Sequence, residues 1–150
     1  MSDGRRSPIV KHISEGVGLT TAEPYVRHVG VLLSPILQEE MGDFAIGHTE
    51  VPPHQQGIMH GHAEGAEVWL VYEGRGRALV GDEEISVEPG TVVLTPPGVS
   101  HQFFNEHDEP VKLFFVFSPS GEEKAVIDSV FQLSLIHISE PTRRYAISYD

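Results

Sequence analysis

Residues 60–74 read HGHAEGAEVWLVYEG, and residues 90–105 read GTVVLTPPGVSHQFFN. Side chains alternate between two faces along an extended chain, so His60 and His62 share a face. Glu67 opens the apolar run 67–72, and His101 opens a later β-like run directly after a Pro-Pro-Gly turn. A His-X-His pair alone is a weak signal, common on solvated strand edges. Three imidazoles with one carboxylate suit a divalent first-row transition metal, Fe, Mn, Ni, Co, Cu or Zn. The chain has no Cys, so no thiolate competes for that ion. The same alternation sends Trp69 and Val71 to the face of Glu67, and Val68, Leu70 and Tyr72 to the other. Both faces are apolar, which predicts a strand covered on both sides by a second sheet or a partner subunit. Counting from His101, Phe103 and Asn105 fall on the face of His101.

Outward from these stretches the chain breaks into short β-like runs at 25–33, 44–51, 67–72, 76–80, 84–87, 91–95, 101–105 and 111–117. A recurrence of about 8–12 residues predicts an all-β sandwich or barrel. Gly81-Asp82 reads as a hairpin turn. Pro52-Pro53, Glu88-Pro89-Gly90 and Pro96-Pro97-Gly98 are hard breaks between strands. Residues 1–24 lack periodicity and read as an N-terminal arm, with a short element near 9–13. The barrel then spans 25–117. One helix is expected within 118–132, where Ser120 and Glu123 form a capping box. Val126, Ile127, Val130 and Phe131 fall on one face of it. It is expected to pack outside the barrel and do no chemistry. Residues 133–143, LSLIHISEPTR, resemble the conceptual translation of a sequencing adapter, and 147–149 resemble its continuation. Residues 133–150 are therefore set apart as a non-native tail, with the natural C-terminus expected to be missing. A C-terminal strand over the apolar 133–138 is the alternative.

At 150 residues the chain suits one domain. Ten Lys+Arg against 22 Asp+Glu give a formal charge of −12, which argues against nucleic acid or an anionic membrane surface as partner. The 39% hydrophobic share is enough to build a core, and 15 Gly with 11 Pro favour short strands over long helices. The absence of Cys excludes disulfides and cysteine nucleophiles. No apolar run approaches the ~18 residues of a membrane span. The N-terminus, MSDGRRSPIV, has no apolar stretch behind its arginines, so a secretory signal is not expected and a cytoplasmic location is.

The spacing of the two quoted stretches resembles the cupin family. Its first motif is G(X)5HXH(X)3–4E(X)6G, matched by His60, His62, Glu67 and Gly74. Its second is G(X)5PXG(X)2H(X)3N, matched by Gly90, Pro96, Gly98, His101 and Asn105. Nine of ten fixed positions agree, and fifteen residues separate Gly74 from Gly90. The leading Gly of the first motif falls on His54, a turn position rather than a ligand. The resemblance covers residues 44–117. It implies a small jelly-roll-like β-barrel with a mononuclear metal site made by His60, His62, Glu67 and His101, and such barrels hold ligands inside. Cupins often dimerise, so a homodimer is expected.

Trp69 and Phe103 are expected to wall the pocket, and His48, in the run 44–51, to point into it. The resemblance to metal-dependent lyases of this superfamily implies a Tyr base at the place of Trp69, a role Trp69 cannot fill. Asn105 is expected to fix a turn through backbone bonds. His54, His107 and Glu64 read as solvated loop residues. Gly74-Arg75-Gly76 reads as a turn, since no helix start follows to make a phosphate loop. No residue is singled out as catalytic. A metal-dependent enzyme on a small organic substrate is the expected function, with dioxygenase chemistry first and lyase or isomerase chemistry second. A non-catalytic small-ligand binder or sensor is the alternative from another class.

Overall fold

The computed structural model describes residues 7–39 and 41–136, with side chains as far as Gln132. After a 3-10 turn at Ile13–Glu15 come nine strands: β1 (Val17–Thr20), β2 (His28–Leu33), β3 (Ala45–Val51), β4 (Ala66–Glu73), β5 (Gly76–Val80), β6 (Glu83–Val87), β7 (Val92–Thr95), β8 (His101–Phe104) and β9 (Val111–Ser118). One helix, α1 (Lys124–Ile136), follows. The eight expected β-runs are all strands, shifted at their ends by a few residues. β1 is a correction, because it lies inside the stretch read as an arm and pairs with β2 from Val17↔Val31 to Thr20↔His28.

Six strands form one antiparallel sheet in the order β1-β2-β3-β9-β4-β7, and three form a second in the order β6-β5-β8. The core lies between them. Val29, Ala45, Val51, Trp69, Val71, Val93, Val111, Leu113, Phe115 and Phe117 come from the large sheet, and Ala78, Val87 and Phe103 from the small one. β9 shows why: Val111, Leu113, Phe115 and Phe117 are buried while Lys112, Phe114 and Val116 are only partly so. Space inside is limited, and β3 answers with small residues. A Cβ on Gly47 would stand 2.1 Å from the Phe115 ring.

The turn after β4 needs its glycine. Gly74 has φ +80°, and a Cβ there would meet the Pro110 carbonyl at 2.2 Å. Gly81-Asp82 joins β5 to β6 as expected. The helix departs from its expectation. Ser120 does not cap it but bonds Asp43 through Oγ and N. Glu123 is buried, accepting from Ser34 Oγ and from the Gly121 amide. The helix starts only at Lys124, packs on β1 and β2, and buries Ile127 fully. Its backbone continues through 133–136, into the segment read as a tail, and the rest of that segment lies outside the described residues. Among the described residues no helix is long and apolar enough to cross a membrane.

Candidate metal centre

β4 is central to the site. Its inward face carries Glu67, Trp69 and Val71, all buried, while Leu70 and Tyr72 are exposed on the other. The segment bearing His60 and His62 crosses from β3 to β4 and is stitched to β8. His60 N donates to the His101 carbonyl at 3.0 Å, and His101 N returns a bond to His60 at 2.7 Å. Gly98, at φ +78°, donates its N–H to the His62 carbonyl at 2.7 Å. The two motifs are thus hydrogen-bonded to each other, which brings residues forty positions apart into one cluster.

One ligand atom from each of His60, His62, Glu67 and His101 lies within 4.8 Å of the others. His101 Nε2 is 2.9 Å from Glu67 Oε2 and 3.2 Å from His60 Nε2. His62 Nε2 is 3.2 Å from Glu67 Oε2. Two of the three outward nitrogens have partners of their own, while His101 Nδ1 is buried without one among the described residues. His60 Nδ1 lies 2.7 Å from the Ile58 carbonyl, which only accepts, so the proton is assigned to Nδ1 and the Nε2 lone pair faces inward. His62 Nδ1 is 3.0 Å from Glu122 Oε2, which orients it the same way. Trp69 Nε1 donates to Glu67 Oε1 at 2.8 Å.

Burial pushes the Glu67 carboxyl up, but the bonds from His101, His62 and Trp69 outweigh it and hold it down at about 2. The Glu67 bond raises His62, against burial. Burial lowers His60, favouring its neutral form. Four acceptor-capable atoms this close are held together by shared protons, and a divalent cation replaces protons in such a set. The residues therefore fit a first-row ion by donor type, convergence and outer support.

The pocket residues divide. Trp69 lies 5.2 Å from His101 and 5.7 Å from Phe103, ring to ring, and the Phe117 ring is 5.3 Å from His62. Trp69 is thus wall and hydrogen-bond donor at once. His48 is a correction. It pairs with Phe114 in the β3–β9 register, on the face opposite Phe115 and the His/Glu cluster, and bonds Tyr72 Oη at 2.6 Å. Asn105 does as expected, donating to the carbonyls of Val51, Pro52 and Glu109 and accepting from His107 N. Glu64 is exposed, and His54 pairs with exposed Asp108 at 2.7 Å. Two residues near the centre were not legible beforehand. Glu122 precedes a helix read as chemically silent and meets His62 only through the fold, and Arg27 precedes β2 and lies over Gly57, on the segment that carries His60.

Residues 47–117 match the family described as Cupin domain. A glucose-6-phosphate isomerase of Pyrococcus furiosus is 33% identical over 96 residues, covering 55% of this chain and 50% of that protein. The chain thus spans about half the length of that relative. A predicted oxalate decarboxylase of Thermotoga maritima superposes with a TM-score of 0.65 at 18% identity, over 73% of this chain and 97% of that one. A polyketide cyclase of Streptomyces resistomycificus does so with a TM-score of 0.62 at 19% identity, over 74% and 79%. At such identities the two structures speak for the fold alone. With the motif spacing, the two-sheet barrel and the family match in agreement, the chain belongs to the cupin superfamily, residues 47–117 lying in its barrel.

Proposed function

We propose that this chain is a metal-dependent enzyme acting on a small organic molecule, with one divalent first-row ion held by His60, His62, Glu67 and His101. The observation that carries the reading is the convergence of those four ligand atoms within 4.8 Å. When bound, such an ion supplies Lewis acidity or O2 chemistry at the positions that four protein ligands leave open. The chain's own residues prepare the site. Ile58 and Glu122 orient His60 and His62, Trp69 orients Glu67, and Trp69, Phe103 and Phe117 exclude water.

Dioxygenase chemistry is the first reading because it asks for no protein base. Among the described residues, none of the hydrogen bonds, ion pairs or ring contacts of the four involves a Tyr, Lys or Asp. Lyase or isomerase chemistry is the second reading, supported by the likeness to the Pyrococcus isomerase. The test is oxygen uptake by Fe(II)-loaded protein across a panel of small acids and phenols. Substrate-dependent uptake supports the first reading. Turnover without uptake supports the second, and ligand binding without turnover identifies a non-catalytic binder.

The same proposal places the protein in the cytoplasm as a homodimer. Leu70, Tyr72, Val92 and Leu94 expose 42, 36, 59 and 60% of their surface on the outer face of the large sheet, along β4 and the edge strand β7. A second copy covering that face removes both the apolar surface and the open edge. Light scattering giving a monomer mass at tens of micromolar refutes it. Residues 133–150 remain a non-native tail in this reading. A chain ending at Gln132 keeps its metal and melts within about two degrees of the full chain.

A further inference from the structure

Arg27 stands one residue before β2, and alternation puts it on the face of the core residue Val29. Its backbone is pinned at both ends. Its N–H donates to Thr21 Oγ1 at 2.8 Å, and its carbonyl accepts from Thr21 N at 2.9 Å. The side chain runs over the backbone of Gly57. Its Cδ, Nη1 and Nε lie 3.4, 3.7 and 3.9 Å from where a Cβ on Gly57 would stand. Gly57 precedes Ile58, the residue whose carbonyl holds His60. The guanidinium is close enough for its charge to be felt at both Glu67 and His60.

No carboxylate pairs with that guanidinium among the described residues, and its Nε is buried without a hydrogen-bond partner. Other arginines are treated differently. Arg77 takes both Glu84 and Glu106, and Arg75 takes Glu88. A chain with 22 acidic against 10 basic residues does not leave a half-buried arginine single for want of carboxylates. The Nε donor of Arg27 is unanswered, beside the segment that carries His60.

We propose that Arg27 docks the carboxylate of a small organic acid next to the ion. The inference rests on the metal-centred reading, which it narrows to a class of substrate. A planar guanidinium matches a carboxylate by two parallel N–H···O bonds, and one fixed cation balances one negative charge. Arg27 is a binding residue in this scheme and takes no part in moving protons.

The test uses benzoate, neutral benzamide and inorganic phosphate, titrated into the full chain with and without Mn(II). Trp69, the one Trp in the chain, reports through its fluorescence from beside Glu67. Benzoate is expected to bind at least about tenfold more tightly than benzamide. Arg27→Gln is expected to erase that preference, and Arg27→Lys to restore part of it. Equal affinity for benzoate and benzamide, an unchanged benzoate affinity in Arg27→Gln, tighter binding of phosphate than of benzoate, or binding of none of the three overturns the inference. The benzoate-to-benzamide ratio is read on the unmutated protein, so a variant that fails to fold does not decide the matter. Failure of the metal reading shows in elemental analysis alone, while the ratio in metal-free protein still decides Arg27.

Discussion

His101 and His48 are buried alike, with 1% and 0% of their surface exposed, yet they sit in opposite chemistries. His101 faces a carboxylate and two further imidazoles on the inner side of the barrel. His48 lies on the outer face of the large sheet, between the Tyr72 hydroxyl and the edge of the Phe114 ring. Burial and then the charge of Lys112 push its pKa down to about 4. Lys112 itself spans Glu73 and Glu50 on that face. Whether a buried imidazole becomes a ligand is decided by what shares its face, and strand register decides the face.

The comparison breaks most directly at the centre. Replacing His60 and His62 together by Ala halves the ligand set and should take metal content from about one ion per chain to near zero by elemental analysis. Stoichiometric metal in that variant would remove the basis for calling the inner cluster a site. His48→Phe should leave metal content unchanged, and its effect should appear in pH dependence. Folded His48 stays neutral down to about pH 4, while the unfolded chain takes up the proton near 6.5. Its contribution is therefore fully present above pH 6.5 and is lost as pH falls from there towards 4. The loss should be about 3 kcal/mol in urea melts of the unmutated protein. His48→Phe should lack that component, and equal slopes in the two proteins would contradict the assignment.

Trp69→Phe sharpens the inner side. It keeps an aromatic wall and deletes the bond to Glu67, so competition with a chelator should show metal affinity falling about tenfold. Unchanged affinity would leave Trp69 as wall only. The smallest effect belongs to His54, a histidine of neither face. It has φ +58°, the only positive value among the described non-glycine residues. That is the motif position where the family places Gly. His54→Gly should melt within about two degrees of the unmutated protein, whereas His54→Val, branched at Cβ, should cost about 1–2 kcal/mol. A tolerated Val would show that the turn can relax.

The four residues of the candidate site were legible because each lies at a fixed offset from a turn residue, and Gly74 and Gly98 show why, sitting where the backbone takes positive φ. Eight strands were legible from alternation and breaks. β1 was not, since Val17–Thr20 offers only two large apolar side chains. His48 was misplaced because alternation pairs residues by parity without saying which parity faces in. On β3 the inner parity holds Ala45, Gly47 and Thr49, small enough to admit the Phe115 ring, while Ile46, His48 and Glu50 turn outward. Arg27 and Glu122 carried no signal, as Glu122 reaches His62, and Arg27 the segment at Gly57, only after the start of α1 and β2 are in place.

Glu122 has one more consequence. It stands just ahead of α1, on the loop that delivers the helix to β1 and β2, and its carboxylate holds the outer nitrogen of His62. Drawing on the inner nitrogen of His62 makes the outer N–H a better donor, so occupancy of the centre and docking of the helix reinforce each other. The amide protons of α1 should exchange more slowly with deuterated solvent when the protein is metal-loaded. Glu122→Gln should weaken that coupling and leave exchange in β9 unaltered.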